Sequence, residues 1–308
     1  MAVNTKIIKR RLRSIGNIGK ITKAMELVSA AKMRKAIEAT LNTRVYATLA
    51  WELLVNLSKS VKGSIPLLQE RPVKKVLVVL ITSNRGLCGS FNSNIIKKTT
   101  KLLSDDKMLG NGTVEVIGIG KKGADFAKKN NYNLIASFSE LSNVPKLSDI
   151  SPISKMIIES FIAEKYDKVI LAYTDFKSSL SQVAVLRQLL PISQKDLEET
   201  INALGADDGA DKTEAFGKNK NDLTDYIFEP NREEVLKILL PRLVDVQIYQ
   251  AVLESSASEH SSRMMAMKSA NEAADDMIKE LNLSFNKARQ ASITQEIAEI
   301  AGGAVVLE

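Results

Sequence analysis

The sequence predicts an α/β protein with long terminal helices, in which the N- and C-terminal segments form an antiparallel two-helix coiled coil and the middle forms a three-layer α/β domain. Three observations support this prediction: a heptad stripe of apolar residues in the last quarter, a helical stripe at the start, and strands alternating with helices between them. The predicted boundaries are 1–60 for the first helix, 72–228 for the α/β domain and 231–308 for the last helix.

The last helix has the most regular pattern. Alternating steps of four and three residues over Leu239–Ala288 meet fifteen positions, of which only Gln250, His260 and Asn271 are polar. A helix of this length extends about 75 Å at 1.5 Å per residue, which is longer than a compact domain of this size is wide. It therefore needs a long partner, and polar residues within such a stripe usually fix the register of the pairing.

Local signals mark the ends of both long helices. The first helix is predicted over about Asn4–Leu57, where apolar residues recur at three- and four-residue steps without a proline, and Lys62–Pro66 ends it. The acids Glu233 and Glu234 mark the first turn of the last helix, and the pair Gly302–Gly303 predicts its end. Two long helices at opposite ends of the chain are natural partners for each other.

The middle of the chain alternates strands and helices, which predicts a sheet with helices on both faces. Strands are predicted at Val76–Ile81, Val114–Ile119, Lys168–Tyr173, Gln182–Pro191 and Leu223–Phe228. Helices are predicted at Asn92–Met108, Lys121–Asn130 and Pro152–Lys165. The polar stretch Gly205–Asn221 is predicted to be a mobile surface loop, because it holds few bulky apolar residues.

The positive charge is concentrated at the N-terminus. The whole chain carries +7, whereas residues 1–40 alone hold ten lysines and arginines against two acids, a net charge of +8. Such a helix fits an acidic protein surface, a nucleic acid or an anionic lipid, although the charge alone favours a solvated helix face. The sequence leaves these alternatives open.

Composition excludes several classes of protein. The single cysteine, Cys88, excludes an internal disulfide, and one cysteine with one histidine argues against a structural zinc site. The longest apolar run, Val76–Ile81, is far shorter than the roughly 20 residues of a membrane helix. The first residues also lack the pattern of a signal peptide, so we expect a protein without a membrane span of its own.

A glycine-rich turn at Gly118–Gly123 fits the pattern G-x-G-x-x-G between a predicted strand and a predicted helix. This context suits a dinucleotide, whose pyrophosphate would meet the amide groups at the helix start. The turn follows the second strand rather than the first, however, and the acid expected about twenty residues later is absent from the end of a strand. An NAD-binding protein is therefore kept as an alternative.

A second glycine-rich turn covers Asn84–Asn92 and contains Cys88. A nucleophilic cysteine needs a basic partner, and the only histidine lies in the coiled-coil stripe. We expect a small, buried cysteine in a tight loop that exposes Arg85 as part of a docking surface. The sequence contains no paired carboxylates, no metal-ligand cluster and no P-loop. No catalytic, cofactor-binding or metal-binding residue is therefore assigned.

Four segments together resemble the gamma subunit of the F-type ATP synthase. They are Arg13–Val28 with its continuation to Met33, Ser83–Asn92, Ser258–Met267, and Arg289–Ile300 followed by Gly303-Ala304. The chain departs from the family at Ser90, where a second glycine is usual, and at Ser262, where alanine is usual. It also lacks the paired-cysteine insert of chloroplast relatives.

The resemblance implies a rotor subunit of the central stalk, turning inside the alpha3beta3 ring of alpha and beta subunits, with the epsilon subunit and the membrane c-ring as further partners. It implies a non-catalytic protein, because the family's catalytic residues lie in the beta subunit, and a peripheral position at the cytoplasmic face of a bacterial plasma membrane. The residues expected to contact the ring are Lys20, Lys23, Met25, Arg85, Arg289, Gln290 and Thr294. A coiled-coil adaptor or a coiled-coil nucleic-acid binder remains as a rival interpretation.

Overall fold

A computed structural model describes residues 5–58, 65–104, 113–139, 141–142, 145–192 and 231–306, with the backbone alone at 44–58, 232 and 301–306. The predicted strand Leu223–Phe228 and the predicted loop Gly205–Asn221 lie outside these ranges. By its contacts the chain divides into two units, one of residues 1–30 with 263–308 and one of residues 31–262. The domain boundaries drawn from the sequence stay a prediction.

Two helices contribute to the first unit: α1 (Thr5–Ser58) through its first part, and α5 (Arg232–Val306) through its last part. The two helices lie side by side in this unit. A Cβ atom added at Gly19 of α1 would be 3.7 Å from Cβ of Ala274 and 3.8 Å from Oδ1 of Asn271, both on α5. The two segments run antiparallel, as the sequence predicted.

Burial within this unit follows heptads. On α1, Ile8, Thr22 and Ser29 are buried and are separated by multiples of seven residues. On α5, every position of the predicted stripe from Met264 to Ala288 is buried or half-buried, and of the residues between them only Met265, Ala266 and Ala270 are not exposed. The coiled-coil prediction is thereby confirmed in position as well as in kind.

The second unit contains a five-stranded sheet in the order β3-β2-β1-β4-β5. Its strands are β1 (Lys75–Ile81), β2 (Thr113–Ile119), β3 (Asn133–Phe138), β4 (Lys168–Phe176) and β5 (Gln182–Leu190). Its further helices are α2 (Phe91–Leu103), α3 (Lys121–Lys129) and α4 (Leu147–Ile162), with a 3₁₀ turn at Pro66–Leu68. The first four strands pair in parallel, and β5 pairs antiparallel with β4.

Helices cover both faces of this sheet. Side chains that alternate along β1 enter two separate cores: Val76, Val78 and Leu80 pack with Ile95 of α2, while Leu77, Val79 and Ile81 pack with α4 and with Leu236–Val252 of α5. The central strands β1 and β4 are buried on both faces, which explains their continuous apolar runs. The three-layer prediction is confirmed.

Several predicted boundaries were wrong. Strand β3 was not predicted, because at the edge of the sheet its residues alternate between exposed and half-buried. Helix α4 begins at Leu147, five residues before the predicted start at Pro152, which lies inside the helix. Helix α5 continues through Gly302–Gly303 to Val306, so the predicted glycine stop does not end it. Glycine inside a helix costs about 1 kcal/mol but does not force an end.

Candidate partner-binding surfaces and the glycine-rich turns

The turn between β2 and α3 is closed around its glycines. Gly120 has φ +96°, and a Cβ atom there would lie 2.1 Å from the backbone oxygen of Thr82, the residue that follows β1. Its N–H donates to the carbonyl of Phe138 at 2.8 Å. Glycine is needed at this position for both its backbone conformation and its close approach to β1.

The amide groups at the start of α3 already have partners. The N–H of Lys121 donates to Oδ1 of Asn84 at 3.0 Å, and the N–H of Lys122 donates to the carbonyl of Ser83 at 3.1 Å. The N–H of Gly123 donates to Oγ1 of Thr82 at 2.7 Å. A pyrophosphate would need these same donors. The dinucleotide interpretation of the G-x-G-x-x-G pattern is therefore wrong, and the pattern serves packing between β1 and α3.

The second glycine-rich turn is fastened from within by Asn92. Its Nδ2 donates to Oγ of Ser83 at 2.7 Å and to Sγ of Cys88 at 3.1 Å, and its Oδ1 accepts the N–H of Ser83 at 3.0 Å. Cys88 is buried, as predicted. A thiol held in this way among neutral groups is a structural residue, since nucleophilic attack requires an accessible thiolate.

The tip of this turn projects into solvent. Arg85 is exposed, and Leu87 is 65% exposed with φ +61°. A left-handed conformation at a leucine is uncommon and persists only where the surrounding structure imposes it, here through the bonds around Asn92. The turn therefore presents a cation and an apolar side chain on a rigid base, a suitable arrangement for docking a partner.

The predicted ring contacts on the first unit fall into two groups. Lys20 and Lys23 are exposed on α1, where Lys23 Nζ forms an ion pair with Glu26 at 3.1 Å, and Met25 is half-buried nearby. Because Gly19 lies against Ala274, this group is beside the middle of the paired part of α5. Arg85 belongs to the second unit.

The other group lies near the end of α5. Arg289, Gln290 and Thr294 are exposed, and the hydroxyl of Thr294 donates to the carbonyl of Gln290 at 2.9 Å. The separation of fifteen residues between Ala274 and Arg289 corresponds to about 22 Å of helix, so the two groups lie well apart along α5. Every described residue from Arg289 to Ile300 is exposed, including Ile293, Ile297 and Ile300. A stripe of exposed isoleucines indicates an interaction surface.

Sequence reasoning missed one polar feature, a row of buried serines on α5. Ser255, Ser258 and Ser261 are each at most 2% exposed and are hydrogen-bonded to β4 and to the turn that follows it. The available signal was composition, because five of the eight residues from Ser255 to Ser262 are serines. Serine is a modest helix former, so such density inside a helix indicates a role for the hydroxyl groups.

Two features are absent from the described residues. No helix among them is both long and apolar enough to cross a membrane. Within the same ranges there is also no group of three or more histidine, cysteine, aspartate or glutamate residues that could hold a metal ion.

Comparison with known proteins gives a consistent result over nearly the whole chain. A family model described as ATP synthase matches residues 4–307. The "ATP synthase gamma chain" of Chloroflexus aurantiacus is 41% identical over 304 residues, 97% of each chain.

Two solved structures have a similar fold. One is the central stalk and c-ring structure of the Tetrahymena thermophila mitochondrial ATP synthase (TM-score 0.57, 26% identity, 81% of this chain and 99% of that chain). The other is a Euglena gracilis mitochondrial ATP synthase in rotational state 3 (TM-score 0.65, 19% identity, 98% and 94% covered). Paired terminal helices, a three-layer sheet domain and full-length similarity agree, and the chain belongs to the gamma-chain family of the ATP synthases.

Proposed function

We propose that this chain is the central-stalk rotor of a proton-translocating F-type ATP synthase. It transmits rotation of the c-ring to the alpha and beta subunits during ATP synthesis, and it carries rotation in the opposite direction during ATP-driven proton pumping. The observation that carries the proposal is the antiparallel pair of α1 and α5. No proline interrupts α1 or the part of α5 after Arg263, and the heptad burial continues to Ala288. Such a pair is stiff along its length.

A rotor needs an asymmetric surface that contacts its surroundings differently as it turns. The basic side of α1 supplies one such surface, because Lys9, Arg10, Arg11 and Arg13 are all exposed. Acidic loops of a surrounding ring would be attracted to this surface over a range of about 10 Å at moderate salt. Each orientation of the rotor then favours a different conformation of each neighbouring subunit, which is how a contact can change affinity at a distant site.

We assign two contact regions to the ring. Lys20, Lys23 and Met25 on α1 form one, and Arg85, which belongs to the other unit, is a separate contact. The second region comprises Arg289, Gln290 and Thr294, followed by the exposed stripe Ile293, Ile297 and Ile300. The exposed isoleucines support this second region, since an apolar helix end of this kind is stabilised when a partner covers it.

Catalysis would then take place in the beta subunits, and this chain would be non-catalytic. We place it as a peripheral protein at the cytoplasmic face of the bacterial plasma membrane, in contact with the epsilon subunit and the c-ring. The sheet domain fits a structural rather than an enzymatic role, because the amides at the start of α3 are occupied by Thr82, Ser83 and Asn84.

The test is a double substitution in the second contact region. Arg289→Ala combined with Gln290→Ala should reduce ATP-driven proton pumping by about tenfold or more, if each contact contributes about 1 kcal/mol. The helicity of the isolated chain should stay unchanged, because both side chains are exposed. The matched control is Lys279→Ala with Glu280→Ala, another exposed pair on α5.

The measurement is proton uptake into vesicles that contain the assembled enzyme. Pumping equal to that of the unsubstituted enzyme would contradict the proposed contact region. Purification of the unsubstituted chain without alpha and beta subunits from its own cells would contradict the rotor itself and would favour a coiled-coil adaptor.

A further inference from the structure

Strand β4 is longer than the neighbour with which it pairs in parallel. The register joins Val76–Leu80 of β1 to Lys168–Ala172 of β4, whereas β4 continues to Phe176. Past Ala172 no strand of the described residues pairs with the N–H and C=O groups on the β1 side of β4. Thr174 is 3% exposed in this stretch, so its backbone groups need partners within the protein.

Two serines of α5 supply those partners. The N–H of Thr174 donates to Oγ of Ser255 at 3.2 Å, and the hydroxyl of Ser258 donates to the carbonyl of Thr174 at 3.3 Å. Ser255 and Ser258 are three residues apart and so lie on one face of the helix. At this point the side chains of α5 form the hydrogen bonds that a neighbouring strand would otherwise form with Thr174.

The next turn of α5 is attached to the connection between β4 and β5. The hydroxyl of Ser261 donates to the carbonyl of Ser179 at 2.7 Å and accepts from Nε2 of Gln182 at 3.4 Å. The hydroxyl of Ser262 donates to Oε1 of Gln182 at 3.1 Å. Gln182 also donates to the carbonyl of Ser179 at 3.0 Å, so one amide side chain links the helix and the turn.

The earlier part of α5 has mainly apolar contacts. From Leu236 to Val252 the helix packs on the sheet and on α4 through apolar side chains, with one buried hydrogen bond from Ser154 of α4 to Asp245. Apolar contacts have little directional preference, whereas hydrogen bonds weaken steeply when their geometry changes. The serine row, which we define as Ser255, Ser258, Ser261 and Ser262, therefore adds a directional constraint on rotation of α5 about its own axis.

We infer that the serine row is a torsional joint that locks α5 to the sheet domain, with Thr174 and Gln182 as its counterparts. This inference rests on the proposed function, since a joint of this kind acts as one only in a chain that carries torque. The row ends at Ser262, and α5 continues from Arg263 into the coiled-coil unit. Rotation delivered to the sheet domain enters the long helix through these bonds, and a loosened joint would let the helix twist without transmitting the full rotation.

The experiment loosens the joint from either side. Ser261→Ala removes the buried hydroxyl of α5 that bonds Ser179, and Gln182→Ala removes its counterpart without a change in the helix. The control is Ser269→Ala, an exposed serine of the same helix.

Two measurements are made on the assembled enzyme. Amide hydrogen exchange over residues 177–182 should become about 5- to 30-fold faster in the joint variants, the change expected from losing one or two buried hydrogen bonds. Protons pumped per ATP hydrolysed in vesicles should fall, while ATP hydrolysis continues. The control should match the unsubstituted enzyme in both.

The outcomes separate the joint from the rotor. Faster exchange together with a lower ratio of pumping to hydrolysis supports the joint. Unchanged exchange overturns it, because the row then does not fasten the turn, and faster exchange with an unchanged ratio overturns its role in torque transfer. Either result leaves the rotor proposal intact, whereas failure of the unsubstituted chain to assemble with alpha and beta subunits would overturn both.

Discussion

Replacement of Gly120 by alanine tests whether the G-x-G-x-x-G turn is a packing device. Gly120 has φ +96° and ψ 143°, a conformation that residues with a side chain rarely adopt and that costs them about 1–3 kcal/mol. An added Cβ would also lie 2.1 Å from the oxygen and 2.7 Å from the carbonyl carbon of Thr82, both backbone atoms at the end of β1. Neither atom can move without disturbing the central strand. We therefore expect Gly120→Ala to lower the free energy of unfolding by roughly 3–5 kcal/mol, at the upper end of single-residue effects.

The assay is urea unfolding of the full chain, followed by circular dichroism. The matched control is Gly86→Ala in the neighbouring exposed turn, where an added Cβ meets no atom within 4 Å. This variant should stay within about 0.5 kcal/mol of the unsubstituted chain. Equal stability of the two variants would refute the reasoning, since the glycine would then not be required by packing against β1 and its presence would need another explanation.

Two further substitutions test buried polar contacts in the sheet domain. Burial, followed by the nearby charge of Glu254, raises the pKa of Tyr173 well above its ordinary value of 10.0. The stabilising effect of Tyr173 is therefore complete below pH 10 and is lost at higher pH, as the phenol ionises first in the unfolded chain. We expect Tyr173→Phe to make the loss of stability above pH 10 less steep in urea unfolding measured between pH 8 and 11. The buried hydroxyl of Ser154 donates to Asp245 of α5. Ser154→Ala should lower the free energy of unfolding by about 1–3 kcal/mol, because a buried carboxylate oxygen loses its donor. An unchanged urea midpoint would contradict this and would show that water replaces the hydroxyl.

The long helices and central strands could be predicted because the burial of their residues repeats regularly along each element. A heptad position on α5 is either covered by α1 or exposed, so the stripe from Met264 to Ala288 could be assigned residue by residue. Strands β1 and β4 are buried on both faces, and their apolar runs leave little choice of structure. In both cases the neighbouring residues in the sequence are enough to indicate whether a residue is buried.

The features that were missed depend on segments distant in sequence. The turn at Gly118–Gly123 has the local pattern of a phosphate-binding turn, and only the approach of Thr82–Asn84 shows that its amides are occupied. The role of Ser255 and Ser258 depends on where β1 stops relative to β4. Neither fact has a local signal, because strand register is set by the packing of the whole sheet.

These two features concern the same place in the fold. In an open parallel sheet, a ligand crevice forms at the carboxyl ends of the strands where the strand order reverses, here between β1 and β4. On the β1 side, the residues after the strand accept hydrogen bonds from the amides at the start of α3. On the β4 side, the serines of α5 form hydrogen bonds with the backbone of Thr174. The backbone groups of Thr174 and the amides at the start of α3, which could have met a ligand there, instead hold elements of the protein together. The chain thus uses the binding position of its fold as a mechanical connection, which explains how a domain with the architecture of nucleotide-binding proteins can be part of a rotor.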